Sequence, residues 1–385
     1  VVVPVLRAAF SVLRLFGDNY TLGSNHADNS EFFQGFQDSG LSTSSVYILG
    51  KFCSNSQFFD MEAESVRYMK SPEKSRDKCT GKYTGCMLGA AIGDALGKQN
   101  EGLSRKEIPD MVTDYGKTPK SCPGGKLRAG QYTDDTEQMI ILAQSLIECG
   151  GFDVHDFAGR IARWGSDALA DPVRKSLVGP SSSVAIARLN SGVSWRDSGS
   201  DIPSCGSAMR AAPIGLFYKK LGDVESNAAL SSLPTHNSKA AIAGAVAVAV
   251  GVRCALEDMD CFDIIKETAS RASKYDKGLA RKIELSYVKR DAEPDEVFAE
   301  LGTSYLVYET VPSSVYCFSK HFEEPEEAVI EAVNAGGDTD SIACIIGALC
   351  GARHGVEAFP KRWVNGLENK ELIEHLAAMI FEKQN

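Results

Sequence analysis

Much of what this 385-residue chain lacks bears on its chemistry. Its eleven cysteines include no CxxC pair, and their odd number leaves at least one unpaired. Several lie in apolar helical runs, so they read as buried reduced thiols, as expected of an intracellular, reducing compartment such as cytoplasm or nucleus. The longest uncharged apolar run, 240–252 between Lys239 and Arg253, has thirteen residues, short of the roughly twenty that span a bilayer. It is expected as a buried helix of a soluble protein, with no membrane contact. Positive charge is in deficit: the formal charge of −10 and pI near 5.3 argue against a general nucleic-acid-binding surface, although a local basic pocket is compatible with them. No long alternating strand pattern occurs after about residue 80, so the region beyond it reads as all-α.

The first 75 residues form a separate extension in this reading. Residues 1–16 carry Arg7 and Arg14 with no acid before Asp18, and Leu6, Phe10, Leu13 and Phe16 share a helical face, a pattern compatible with an organelle transit peptide such as a mitochondrial one. Residues 17–60 are rich in Ser, Asn, Gly and Phe without a helical period and read as irregular or partly disordered, and 71–77 reads as a linker. A catalytic domain is expected over 79–383.

Two clusters of hard oxygen donors stand out there. Gly336 and Gly337 precede Asp338, Thr339, Asp340 and Ser341, which open the apolar segment 342–349. Thr133, Asp134, Asp135 and Thr136 open a second helical run that stops at Gly150 and Gly151. The plain reading of each is helix capping, since such side chains accept hydrogen bonds from the free N–H groups of a first turn. One or two acids suffice for that, whereas these clusters crowd negative charge that something must neutralise. Carboxylates and hydroxyls without nearby Cys or His suit Mg²⁺, Mn²⁺ or Ca²⁺ rather than Zn²⁺. If the two helix starts meet, they would hold two cations about 3.5–4 Å apart, as two-metal hydrolytic sites do.

Other features are weaker. Gly85, Gly89, Gly93 and Gly97 recur every four residues and make a small-residue stripe for close approach of a helix or ligand. Gly93 to Lys98 only superficially resembles a phosphate loop: it has three intervening residues where four are needed, and Gln99 where Ser or Thr is needed. Glu101 follows on a polar loop, either as a surface acid or as a carboxylate within reach of a substrate. Residues 202–217 read as a Ser/Gly turn opening a short helix, with backbone N–H groups for an anion and Arg210 as a cation or buried partner. His236 precedes the apolar helix as a phosphate or diol partner, a cap or a core residue. Residues 258–300 read as two polar helices, and a helix is expected over 313–319.

Taken in order, GCMLGAAIGDALG with the acid after it, YTDDTE, CGSAMRAAPIGL, THNSKAAIAGAVAVA and AVNAGGDTDSIACIIGALCGA resemble the ADP-ribosylglycohydrolase family, including its ADP-ribosyl-hydrolase-3-like members. The resemblance implies a compact all-α domain of orthogonally packed helices that binds two divalent cations, Mg²⁺ or Mn²⁺, beside a cleft for ADP-ribose. Carried over, Thr133, Asp134, Asp135, Asp338, Asp340 and Ser341 are the metal ligands and Glu101 the catalytic carboxylate, on a mobile loop. Ser204, Cys205, Gly206, Ser207 and His236 fall in segments lining the diphosphate and ribose, and Gly302, Ser304 and Tyr305 near the distal ribose. Ser341 stands where many members have Thr, and keeps the hydroxyl. Ser304 replaces a frequent Gly. Residues 177–182 lack the acid of some arginine-specific members.

The implied activity is release of ADP-ribose from an ADP-ribosylated protein or related conjugate by a monomeric enzyme. Another class, a catalytically silent ADP-ribose binder or crystallin-like structural protein, is disfavoured by the intact acid clusters. A phosphatase is disfavoured by the lack of a nucleophile or His-rich cluster.

Overall fold

The computed structural model describes residues 78–116 and 127–384. The transit-peptide-like segment, the irregular extension and the linker at 71–77 lie outside them. Fifteen α-helices follow in order: α1 (Lys78–Gly97), α2 (Asp134–Cys149), α3 (Val154–Ala170), α4 (Pro180–Asn190) and α5 (Ala212–Phe217). Next come α6 (Leu221–Ser232), α7 (Lys239–Leu256), α8 (Cys261–Ala272), α9 (Lys277–Val288) and α10 (Pro294–Leu301). The chain continues through α11 (Val307–Lys320), α12 (Pro325–Val333), α13 (Thr339–His354), α14 (Lys361–Gly366) and α15 (Lys370–Gln384). Among the described residues there is no strand, only isolated bridges between Ser200 and His236 and between Ser204 and Leu306. The all-α expectation holds.

The most extensive pairing joins α1 to α13. The glycine stripe explains it: a methyl at Gly89, Gly93 or Gly97 would overlap the backbone carbonyls of Gly347, Ala343 and Thr339. The stripe therefore receives a helix, and the partner's own Gly347 and Gly351 return the fit. Helix α7, apolar on every face, is buried along nearly its whole length. It packs on α5, α6, α8, α11 and α13. Although α7 is long and apolar enough to cross a membrane, 83% of it is buried by its neighbours.

Two expectations are corrected. Residues 258–300 form three helices rather than two, because Asp260 and Asp276 cap separate starts and Pro294 begins a third. The helix expected over 313–319 is the longer α11, which runs through Pro312. Proline removes one N–H from the helix ladder, but α11 is buried on α9 and α13 and continues past it. Cys86, Cys149, Cys205, Cys254, Cys261, Cys317, Cys344 and Cys350 are free thiols, and all of these but Cys149 and Cys261 are buried.

Candidate metal centre and ligand cleft

The α1–α13 crossing brings together the C-terminal end of α1 and the N-terminal end of α13, and α2 starts beside them. Three backbone hydrogen bonds tie the connecting loops. The Gly102 N–H donates to the Gly337 carbonyl at 2.8 Å, Gly337 to Leu103 at 2.7 Å, and Asp338 to Thr303 at 2.7 Å. Both glycines before Asp338 are required: their φ values are 81° and 76°, in the left-handed region. Side chains there would also strike the Arg105 and Thr303 backbones. The loop that follows Glu101 is thus hydrogen-bonded, through Gly102 and Leu103, to the turn before Asp338.

Capping accounts for only part of the two clusters. Thr133 caps α2, its hydroxyl accepting from the Asp135 N–H at 3.2 Å. Further donors of that turn are taken by Asp94 of α1, which accepts from the Thr133 N–H (3.1 Å), the Thr136 N–H (3.0 Å) and the Thr136 hydroxyl (2.6 Å). Asp134 and Asp135 are left free of that task. Asp338 holds the N-cap position of α13 yet makes no capping bond. Its Oδ2 instead accepts from the Cys205 thiol at 3.1 Å and the Thr310 hydroxyl at 3.4 Å.

Oxygens of Glu101, Asp338 and Asp340 lie within 4.8 Å of one another. Asp134 and Asp135 are buried alongside. Burial first, and then the Asp340 charge, lifts the Asp94 pKa to about 6. Burial, against the Lys98 charge, takes Asp134 to about 8. Burial and Asp340 take Asp338 to about 7, and burial with the charges of Asp94, Asp340, Asp134 and Asp338 raises Asp135 well above the ordinary carboxylate range. Asp135 Oδ2 is shut away from solvent with no hydrogen-bond partner. An orphaned carboxylate oxygen among crowded acids fits a hard divalent cation. Cys205 does not alter that preference, because burial and Asp338 push its thiol up and keep it a donor.

Two buried groups, Lys98 and Asp94, carry no site role in the sequence, and of the two roles open to Arg210, cation for an anion or buried partner, the structure shows the buried partner. Lys98 points into the acids, its Nζ 3.3 Å from Asp340 Oδ2 and paired with Glu101. Asp94, the only charged residue between Gly85 and Gly97, is the anchor of α2 described above. Arg210 is wholly buried and links Gln138 to Thr235, donating to the Gln138 amide oxygen (2.5 Å) and the Thr235 hydroxyl (2.6 Å). Gln138 in turn donates to Asp134 Oδ2 at 2.8 Å. The available signal was a lone charge inside each apolar or small-residue run.

The expected ligand-lining residues divide by orientation. Tyr305 is 52% exposed and Ser304 is partly buried. The Ser304 N–H is anchored on Glu309, and Gly302, with φ 82°, presses against that same carboxylate. Cys205 donates its N–H to the Tyr305 carbonyl at 3.0 Å, joining the two segments. The Ser204 hydroxyl bonds Ser181 at 2.8 Å. Ser207 faces inward, donating to the Ala241 carbonyl and accepting from Ser232. His236 is also internal: its Nδ1 meets the Thr235 hydroxyl at 2.8 Å, and a methyl at Gly206 would be 2.6 Å from its Nε2. Burial, then Arg210, lowers its pKa to about 3, so it is neutral and supports the turn from behind.

The family model described as ADP-ribosylglycohydrolase matches residues 75–385. The chain belongs to the ADP-ribosylglycohydrolase family. An uncharacterized protein of Archaeoglobus fulgidus is 42% identical over 291 residues, covering 74% of this chain and 91% of that protein. ADP-ribosylhydrolase ARH3 of Homo sapiens is 29% identical over 306 residues, covering 68% of this chain and 82% of its own. A solved ADP-ribosylglycohydrolase-related protein complex superposes with a TM-score of 0.67 at 28% identity, covering 80% of this chain and 99% of that one. The all-α fold of the described residues is the ADP-ribosylglycohydrolase fold.

Proposed function

We propose that this protein is a metal-dependent hydrolase that cleaves the glycosidic bond of ADP-ribose attached to a protein side chain or related acceptor, releasing ADP-ribose. The observation that carries this reading is the convergence of Glu101 with Asp338 and Asp340, beside a buried, unpartnered Asp135 oxygen. Thr133, Asp134, Asp135, Asp338, Asp340 and Ser341 would hold two divalent cations, Mg²⁺ or Mn²⁺. When bound, such ions supply charge that orients the distal ribose hydroxyls and acidifies water.

The protein's own groups do the remaining work. Glu101 has one edge toward the acids and is partly exposed on the other side, so it can hold a water near the anomeric carbon or exchange a proton with the leaving oxygen or nitrogen. The 302–306 segment and the 203–207 turn, joined by the Cys205 to Tyr305 bond, offer backbone and the exposed Tyr305 ring to the nucleotide. Fixing the ribose against these walls converts an encounter into an oriented reaction.

The test is a parallel assay of Ser-linked, Arg-linked and O-acetyl ADP-ribose and of the polymer, with Mg²⁺ and with EDTA. Mg²⁺-dependent release of ADP-ribose from at least one of them is expected. Binding of ADP-ribose without release from any would refute hydrolysis in favour of a silent binder.

A further inference from the structure

Lys98 is 1% exposed, and its backbone is held in the last turn of α1 by a 3.0 Å bond to the Asp94 carbonyl. Its ammonium contacts Asp340 and Glu101, and the charged groups that act on it are Asp340, Asp134, Asp94 and Asp135, all members of the acid cluster. A buried Lys is ordinarily costly; here five acids stabilise its charge. The ammonium therefore occupies, on Asp340, a carboxylate that would hold a divalent cation. An ammonium bonded to Asp340 Oδ2 occupies a lone pair that a divalent cation would use, and its charge weakens the attraction of the cluster for that cation.

We propose that Lys98 is a tethered competitor for the cation position beside Asp340, which neutralises the cluster when metal is absent and must leave Asp340 before a divalent cation takes that carboxylate. This rests on the acid cluster being the metal site. The consequence is regulatory. The protein tolerates loss of metal without unbalanced acids, and its metal affinity is set below what the carboxylates alone would give.

Calorimetric titration of Mg²⁺ into EDTA-stripped, dialysed full-length protein tests this. Lys98→Met should bind Mg²⁺ about tenfold or more tightly than wild type, and Lys98→Arg close to wild type, since one retains the competing charge and the other does not. Without metal, Lys98→Met should melt below wild type, and saturating Mg²⁺ should close that gap. A second readout needs no variant: acylation of wild-type lysines, followed by mass spectrometry, should find Lys98 protected in EDTA and reactive with Mg²⁺. Equal or weaker Mg²⁺ binding by Lys98→Met, or Lys98 reactivity indifferent to Mg²⁺, overturns the competitor role and leaves the metal site standing. Absence of Mg²⁺ binding by wild type overturns the metal site itself, and the competitor role with it.

Discussion

Replacing Gly93 by alanine tests whether the α1–α13 crossing builds the site. The added carbon would collide with the Ala343 carbonyl and the Cys344 amide nitrogen, backbone atoms that no rotamer change can move. An ordinary C···O contact is about 3.3–3.6 Å, and the collision falls short of that by more than about 1 Å. Overpacking of this kind costs about 1–3 kcal/mol and sometimes more, against a helix-propensity gain of about 1 kcal/mol. Gly81, on the same helix, has no atom within 4 Å of where its methyl would be. Gly81→Ala should therefore keep the propensity gain of about 0.5–1 kcal/mol. The propensity gain is common to both, so urea unfolding should separate the two variants by the overpacking cost, about 1–3 kcal/mol or more, Gly93→Ala being the less stable. Because α13 carries Asp340 and Ser341 at its start, only Gly93→Ala should also weaken Mg²⁺ binding. Equal midpoints for the two variants would refute the steric account.

Three further outcomes follow from the site. Glu101→Gln should lower turnover about 10²–10⁴-fold while ADP-ribose still binds. It should change stability by only about 1 kcal/mol, since Lys98 keeps Asp340; a turnover ratio near one returns Glu101 to a surface role. Asp134→Ala and Asp338→Ala should abolish the rise in melting temperature that Mg²⁺ gives wild type by binding the native state; unchanged rises in both would sink the metal assignment. In EDTA, Asp94, Asp134 and Asp338 titrate in the fold at about 6, 8 and 7, against about 3.9 unfolded. The native state then holds protons that the unfolded chain has released, so their contribution is full below about pH 4 and is lost as pH rises to about 8. Wild type should lose more stability between about pH 5 and pH 8 than Asp134→Asn does, and parallel losses would contradict the raised values.

Features with a short repeat were legible in the sequence. The four-residue glycine spacing announced a close helix contact, and the absence of alternation announced an all-α fold. The two acid clusters were visible as helix starts, but whether they cap or coordinate depended on a residue elsewhere. Asp94 relieves Asp134 and Asp135 of capping from 39 residues away, and no local pattern reveals that. Lys98 reads locally as a helix-end cation and becomes a buried partner of Asp340 only through a contact 242 residues distant. The direction faced by Ser207 and His236 was likewise set by α7 and Arg210 rather than by their own turn. Pro312 read as a boundary because its missing N–H is a local fact, while the burial that carries α11 past it is not.

The crossing of α1 with α13 also has a consequence for synthesis. Contacts that span 242 residues cannot form until the ribosome has released Thr339 and the helix after it. Until then α1 presents a bare ridge of glycines, and the Asp94–Lys98–Glu101 end has no Asp338 or Asp340 to meet. A truncated or stalled product is thus left with an open apolar groove along its earliest described helix, the kind of surface that chaperones shield and proteases find. The hydrolytic centre, on this reading, comes into being late and all at once.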